Sequence, residues 1–257
     1  MELWTTAHTQ TLLPAFVGML AVAWLLHLLL GNKSHKIRMI PIQIIACLIL
    51  VLEVGKQIYS FQHGYDLYHL PFHFCSLFIF MLPIMAFYRG KGKQTVYGIT
   101  AALCMSVCAL MLIYPALIYS AGNIEEFYTN YLSFHTVAFH NLVMFAAILI
   151  PALKVHAPQK KGANKPLILF MLGFCAVSAT MAQLLKTNFN NFYQCNIPPL
   201  ELVRQAVETA CGTTAAMIMY VLIVTVIDIL FVLGSYQLYL LVRRLFWGAR
   251  AAAREKV

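Results

Sequence analysis

Thr95 to Tyr119 reads TVYGITAALCMSVCALMLIYPALIY, 25 residues without a charged side chain. About 20 apolar residues suffice to carry an α-helix across a bilayer core, so this run predicts a membrane span. Six further apolar runs surround it. They cover about 11–30, 42–59, 70–87, 131–153, 166–186 and 213–241. Strands of a membrane β-barrel would be about ten residues long with alternating polarity, and none of these runs alternates in that way. The expected class is therefore all-α: a polytopic membrane protein with one seven-helix transmembrane domain over residues 1–257. Composition agrees, since 61% of the 257 residues are hydrophobic and only 11% are charged, far from the balance of a soluble domain.

Lys and Arg near the ends of spans remain on the cytoplasmic side. Lys33, Lys36 and Arg38; Arg89, Lys91 and Lys93; Lys154, Lys160, Lys161 and Lys165; and Arg243, Arg244, Arg250, Arg254 and Lys256 together hold 15 of the 18 basic residues. They fall in alternate loops and the C-terminal tail, whereas Glu2, Asp66, Glu125, Glu126, Glu201 and Glu208 fall on the other side. That pattern predicts the N-terminus outside and the C-terminus in the cytoplasm, with the tail from Gly248 as a basic interfacial helix. The net charge of +9 is then a matter of topology, and no nucleic-acid partner is expected. Glu2 stands where a signal peptide would carry basic residues, so the first run is read as a retained helix. A multi-pass protein of a bacterial-type plasma membrane, with membrane lipids as its partners, is the expected setting.

Most cysteines lie within the runs, where a reduced thiol packs as a small apolar group. Cys195 and Cys211 share one outer connection and are candidates for a disulfide. His27, near the inner end of the first run, is expected at the interface or packed. Leu200 to Ala210 reads as a short amphipathic helix at the outer interface or as a plain connection.

Ionisable residues at membrane depth are costly and face the bundle interior or a wet cavity. Glu53, Lys56 and Gln57 share one helical face of the second run. Glu53 and Lys56 suit either a self-neutralising packing pair or a site carboxylate with its partner. The third run opens Leu70-Pro71-Phe72-His73-Phe74-Cys75-Ser76. Read as a helix, it aligns His69, His73 and Ser76, and turns Cys75 about 200° away from His73. The fifth run brings His135, Thr136, His140 and Asn141, with His135 and His140 about 140° apart, so one of them is expected to be structural. Lys186 ends the sixth run, and Asn188, Asn190 and Tyr193 follow it in an Asn-rich, aromatic connection suited to cover a cavity mouth. Asp228 lies in the middle or inner half of the last run. No lysine accompanies it, which removes the Schiff-base nucleophile of a retinal protein.

These depths converge on the outer half of the membrane. Histidines there can move protons, Cys75 can carry an acyl group, and Lys186 or the amides can hold an oxyanion or a phosphate. A membrane-embedded enzyme acting on lipid acyl groups follows, with His73, His135, His140, Cys75 and Glu53 as catalytic candidates. Lys186, Asn188, Asn190 and Tyr193 are the substrate-binding candidates. No cofactor is expected. Zinc held by His69, His73, His135, His140 and Glu53 would make a metal-dependent lipid hydrolase instead, but no His-Glu-x-x-His spacing supports it. A transporter or lipid-binding protein could use the same polar groups as a relay.

Leu70 to Ser76, together with seven spans, the Phe134-His135 opening of the fifth run and the Asn-aromatic connection, resembles the YwaF-like integral membrane proteins. That family includes transmembrane protein 164 of animals. The resemblance implies acyl transfer between phospholipids through a cysteine acyl-enzyme assisted by histidine. In the animal proteins the reactive cysteine is expected immediately before the histidine, a position held here by Phe72; this chain carries Cys75 two residues after His73.

Overall fold

The computed structural model describes residues 4–156, 164–195 and 198–247, which are helical with no strand among them. The helices are α1 (Thr6–Leu30), α2 (His35–Gln62), α3 (Leu77–Phe87), α4 (Lys93–Ile113), α5 (Ala121–Glu125), α6 (Tyr131–Ala152), α7 (Asn164–Leu185), α8 (Pro198–Cys211) and α9 (Thr213–Trp247). Six of them, α1, α2, α4, α6, α7 and α9, are long and apolar enough to cross a membrane.

The third run departs from expectation. Its start is not α-helical: Phe74–Ser76 is a single 3-10 turn with His73 extended before it at φ −80° and ψ 155°, and a second 3-10 turn, Leu67–His69, precedes the run. Pro71 explains this, because proline disfavours helix in the residue before it and donates no N–H of its own. The α-helix that follows, α3, has 11 residues and spans about 16 Å, half of a bilayer core. The expected face shared by His69, His73 and Ser76, and the rotation separating His73 from Cys75, therefore do not apply. The fourth run is cut short for the same reason. Helix α4 ends at Ile113, Tyr114 leaves helical geometry, and Pro115 opens a 3-10 turn to Leu117.

Helix α4 is the most buried of the long helices and α1 the least. Its small residues Ala101, Ala102 and Ser106 are fully buried and let neighbouring backbones approach closely. It packs on α9, α6 and α3, while α2 packs on α3 and α6, and α9 also packs on α7 and α8. Thr100 donates to the carbonyl of Met81 at 3.3 Å, and Gln43 donates to that of Ala86 at 3.2 Å. These bonds tie α3 to both flanking helices. At the far end of α6, Arg38 donates to the carbonyls of Leu153 (3.0 Å) and Lys154 (2.7 Å), a cation placed where the helix dipole is negative. His27 is packed, its Nδ1 bonded to the carbonyl of Ala152 at 2.7 Å.

Gly55 is required by a close approach. A Cβ there would overlap the Tyr131 hydroxyl, and Tyr131 is held by stacking on Tyr59 and by its 3.4 Å bond to the carbonyl of Leu52. Gly55→Leu is expected to push α2 from α6 at a cost of about 1–3 kcal/mol. A lowered unfolding temperature of the detergent-solubilised protein is the measurement.

Residues 198–211 do form a helix. Arg204 sits between Glu201 (2.7 Å) and Glu208 (2.8 Å), while Leu202 and Val203 are exposed. The Arg204 bonds hold the Glu201 carboxyl down to about 2. Cys195 and Cys211, the expected disulfide candidates, are not joined by a disulfide. Glu2, Lys160, Lys161, Asn196 and the basic tail from Gly248 lie outside the described residues.

Candidate functional site

Where α2 ends and α6 begins, the irregular lead-in to α3 leaves a gap in the bundle. Non-helical backbone is tolerated at membrane depth only when buried in protein or lining a cavity. Here it does the latter. The cavity has a volume of about 590 Å³ and is walled by α2, the lead-in and α3, α4, α6, the connection after α7, and α9, with Leu200 of α8 at its edge. That volume is in the range of lipid- and drug-sized pockets.

Glu53 and Lys56 enter from α2, and Nζ lies 2.8 Å from Oε1. Gln57 donates to the same Glu53 oxygen at 2.7 Å and to the carbonyl of His69 at 3.0 Å, while Tyr65 donates to Gln57 at 2.9 Å. The α2 stripe thus fastens the loop before Leu70 to the cavity wall. His135 Nε2 stands 3.5 Å from the second Glu53 oxygen, an ion-pair distance longer than a direct hydrogen bond. His69 lies in the loop outside the spans; burial, and then the Lys56 charge, keep its imidazole below the ordinary value.

Both His135 and His140 line the cavity despite their rotation on α6. His140 Nδ1 is 2.7 Å from the carbonyl of Thr136. A carbonyl only accepts, so Nδ1 carries the proton, and the Nε2 of the neutral ring keeps its lone pair. His73 is fixed the other way, with Nε2 donating to the carbonyl of Tyr68 at 3.1 Å and its ring set edge-on against Phe189. Cys75 lines the same cavity as His69, His73, His135 and His140. Phe72, the position at which the resemblance puts the thiol, is not among the lining residues; it packs on Phe189, and its carbonyl accepts from Ser178 at 2.8 Å.

The connection after α7 folds back into the bundle. Lys186 (φ 53°), Asn190 (φ 50°) and Asn191 (φ 61°) adopt the left-handed conformation, and Phe189 and Phe192 are fully buried. Asn188 Oδ1 accepts from the amides of Tyr193 (3.2 Å) and Gln194 (3.0 Å). Tyr220 donates to the carbonyl of Asn191 at 2.8 Å, and Gln183 to that of Phe192, also at 2.8 Å. Asn188, Asn190 and Asn191 line the cavity, whereas Lys186 and Tyr193 do not. Lys186 instead ends α7: the amide of Thr187 reaches back to the carbonyl of Ala182 at 3.1 Å, as in a Schellman turn. The lysine that lines the cavity is Lys56.

Sequence reasoning set Asp228 apart from the site. It lines the cavity, because the folded-back loop brings Asn190 Nδ2 within 2.7 Å of its Oδ2. The signal was present: a carboxylate within a span points to function by default. Among the described residues, no group of three or more His, Cys, Asp or Glu side chains stands close enough to hold a metal ion. The proposed zinc set of His69, His73, His135, His140 and Glu53 is therefore not assembled as a ligand cage.

Long apolar helices around a polar, histidine-lined cavity define a multi-pass α-helical membrane protein with a site inside its bundle. A model of the TMEM164 family matches residues 3–242, and the chain belongs to that family. No curated protein and no solved structure matches the chain.

Proposed function

We propose that the protein is a membrane-embedded acyltransferase that moves an acyl group between phospholipids in the outer half of the bilayer. In this reading the third run, from Leu70 to Phe87, is a seventh crossing, with the N-terminus outside and the C-terminus in the cytoplasm, as the basic clusters favour. The observation that carries the proposal is that Cys75, His73, His135, His140 and Glu53 share one cavity. Its remaining wall includes Phe74, Ile79, Val107, Leu110, Phe139 and Phe231, surface suited to an acyl chain.

His140 takes the thiol proton of Cys75, and the thiolate attacks the ester carbonyl of a donor phospholipid. The C–O bond breaks, a thioester forms on Cys75, and the lysophospholipid leaves with the proton from His140. A second lysophospholipid then gives its hydroxyl proton to His140 and attacks the thioester, which returns the thiol. His73, which lines the same cavity, is the second acid–base group. The Glu53–Lys56 pair, with His135 beside it, keeps the α2 wall in place. Asn188 and Asn190 face the substrate as amide donors.

The test uses proteoliposomes holding a diacyl phospholipid with an isotope-labelled chain and an unlabelled lysophospholipid. Time-dependent transfer of the label into the second lipid is expected. Labelled free fatty acid without transfer would make the protein a hydrolase. Solute flux with no change in lipid composition would support transport instead.

A further inference from the structure

Asp228 is not used by the chemistry above, yet it is placed at cost. It sits mid-way along α9 between Ile227 and Ile229, at a depth where a carboxylate is retained for function. Among the described residues its oxygens form no ion pair with Lys, Arg or His; the pairs present belong to Glu53, Glu201 and Glu208. Oδ2 accepts from Asn190 at 2.7 Å, with the Cys175 thiol at 4.0 Å. Neither bond uses Oδ1, and the side chain lines the cavity.

Anchoring the loop does not by itself call for a carboxylate. Tyr220 and Gln183 already hold it through backbone carbonyls, and Phe189 and Phe192 are buried beneath it. Two left-handed residues in succession, Asn190 and Asn191, are the kind of backbone strain that collects at binding sites. What a carboxylate adds is an acceptor with lone pairs to spare. One oxygen is oriented by Asn190 and the other is open to whatever occupies the cavity. The acid–base groups His140 and His73 enter from α6 and from the lead-in to α3, whereas Asp228 enters from α9, which packs on α4, α8, α7 and α6. The cavity thus has a second polar pole, built to accept a hydrogen bond.

We propose that Asp228, oriented by Asn190, is the subsite that accepts a hydrogen bond from the free hydroxyl of the acyl acceptor. The assignment rests on the acyl-transfer reading, and it predicts a preference that can be read without turnover. Tracer displacement on detergent-solubilised protein compares a lysophospholipid with its deoxy counterpart, which has hydrogen in place of the free hydroxyl. Wild type is expected to favour the hydroxyl lipid about tenfold or more, the worth of a hydrogen bond to a charged group.

Asp228→Ala is expected to bring the two lipids within about twofold of each other. Asp228→Asn keeps an oxygen for Asn190 but turns an NH2 group to the cavity; it is expected to lose the preference while unfolding at the wild-type temperature. In turnover, either variant should raise the acceptor KM more than the donor KM. An equal preference in wild type and Asp228→Asn overturns the subsite. Loss of affinity for both lipids alike would mark Asp228 as structural and overturn it too. A hydroxyl preference that depends on Asp228, in a protein that transfers no acyl group, keeps the subsite and removes the acyl-transfer reading.

Discussion

His140→Ala is expected to lower kcat for acyl transfer by about two to four orders of magnitude, the usual contribution of a positioned acid–base group. The hydrogen bond of its ring sets the role. Thr136 holds Nδ1 in the protonated tautomer, which leaves Nε2 as the basic nitrogen of the neutral ring. The ring is carried by α6, a rigid element, and rigid support is what keeps a catalytic group within reach of its target. Because His140 is buried, the variant has to be checked for folding by its unfolding temperature. A folded His140→Ala protein with kcat within threefold of wild type would assign the proton transfer elsewhere, first to His73.

Glu53→Ala is expected to be the most destabilising of the single changes considered, by about 3–5 kcal/mol. Removing one partner of a buried ion pair leaves the other charge uncompensated. The Glu53 and Lys56 side chains are only 9% and 12% exposed, and the change also strips Gln57 of an acceptor. The loop held through Gln57 to the carbonyl of His69 should loosen with it. The double variant Glu53→Leu, Lys56→Met removes both charges and is expected to recover most of the unfolding temperature, since well-packed apolar groups often replace a buried pair without loss. If the single variant unfolds at the wild-type temperature, the pair contributes nothing to the wall.

The helical membrane class was legible at once from runs such as Thr95–Tyr119, because a span is apolar on every face whether it meets lipid or, as α4 does, the rest of the bundle. The segment after Pro198–Pro199 was only half legible: its charges return at helical spacing, which suits a helix, yet a plain solvated connection suits the same polar residues. Ranges failed where proline intervened. Pro115 was counted inside a span that ends at Ile113, and Pro71 lay in a run read as helix although it sets His73 in an extended conformation. Arguments from helical rotation then separated Cys75 from His73 and His135 from His140, whereas all four line one cavity.

The site was half legible. Histidines and a glutamate at membrane depth draw attention because their burial has to be compensated. What was hidden is tertiary: the connection after α7 folds inward, so Asp228 joins the cavity while Lys186 serves as a left-handed helix end. Periodicity carries no record of a loop that re-enters the bundle. The left-handed Asn190 and Asn191, which make the re-entry, are visible only in the backbone.

The most direct test of the central claim is a search for the acyl-enzyme. Purified protein in proteoliposomes is incubated with a labelled diacyl phospholipid and no acceptor, quenched at low pH to preserve thioesters, digested and analysed by mass spectrometry. The account predicts the mass of the labelled acyl chain on the peptide containing Cys75, its discharge on addition of lysophospholipid, and its absence in Cys75→Ala. Label transfer that proceeds at the wild-type rate in Cys75→Ala, with no acyl group on the peptide in wild type, would contradict it.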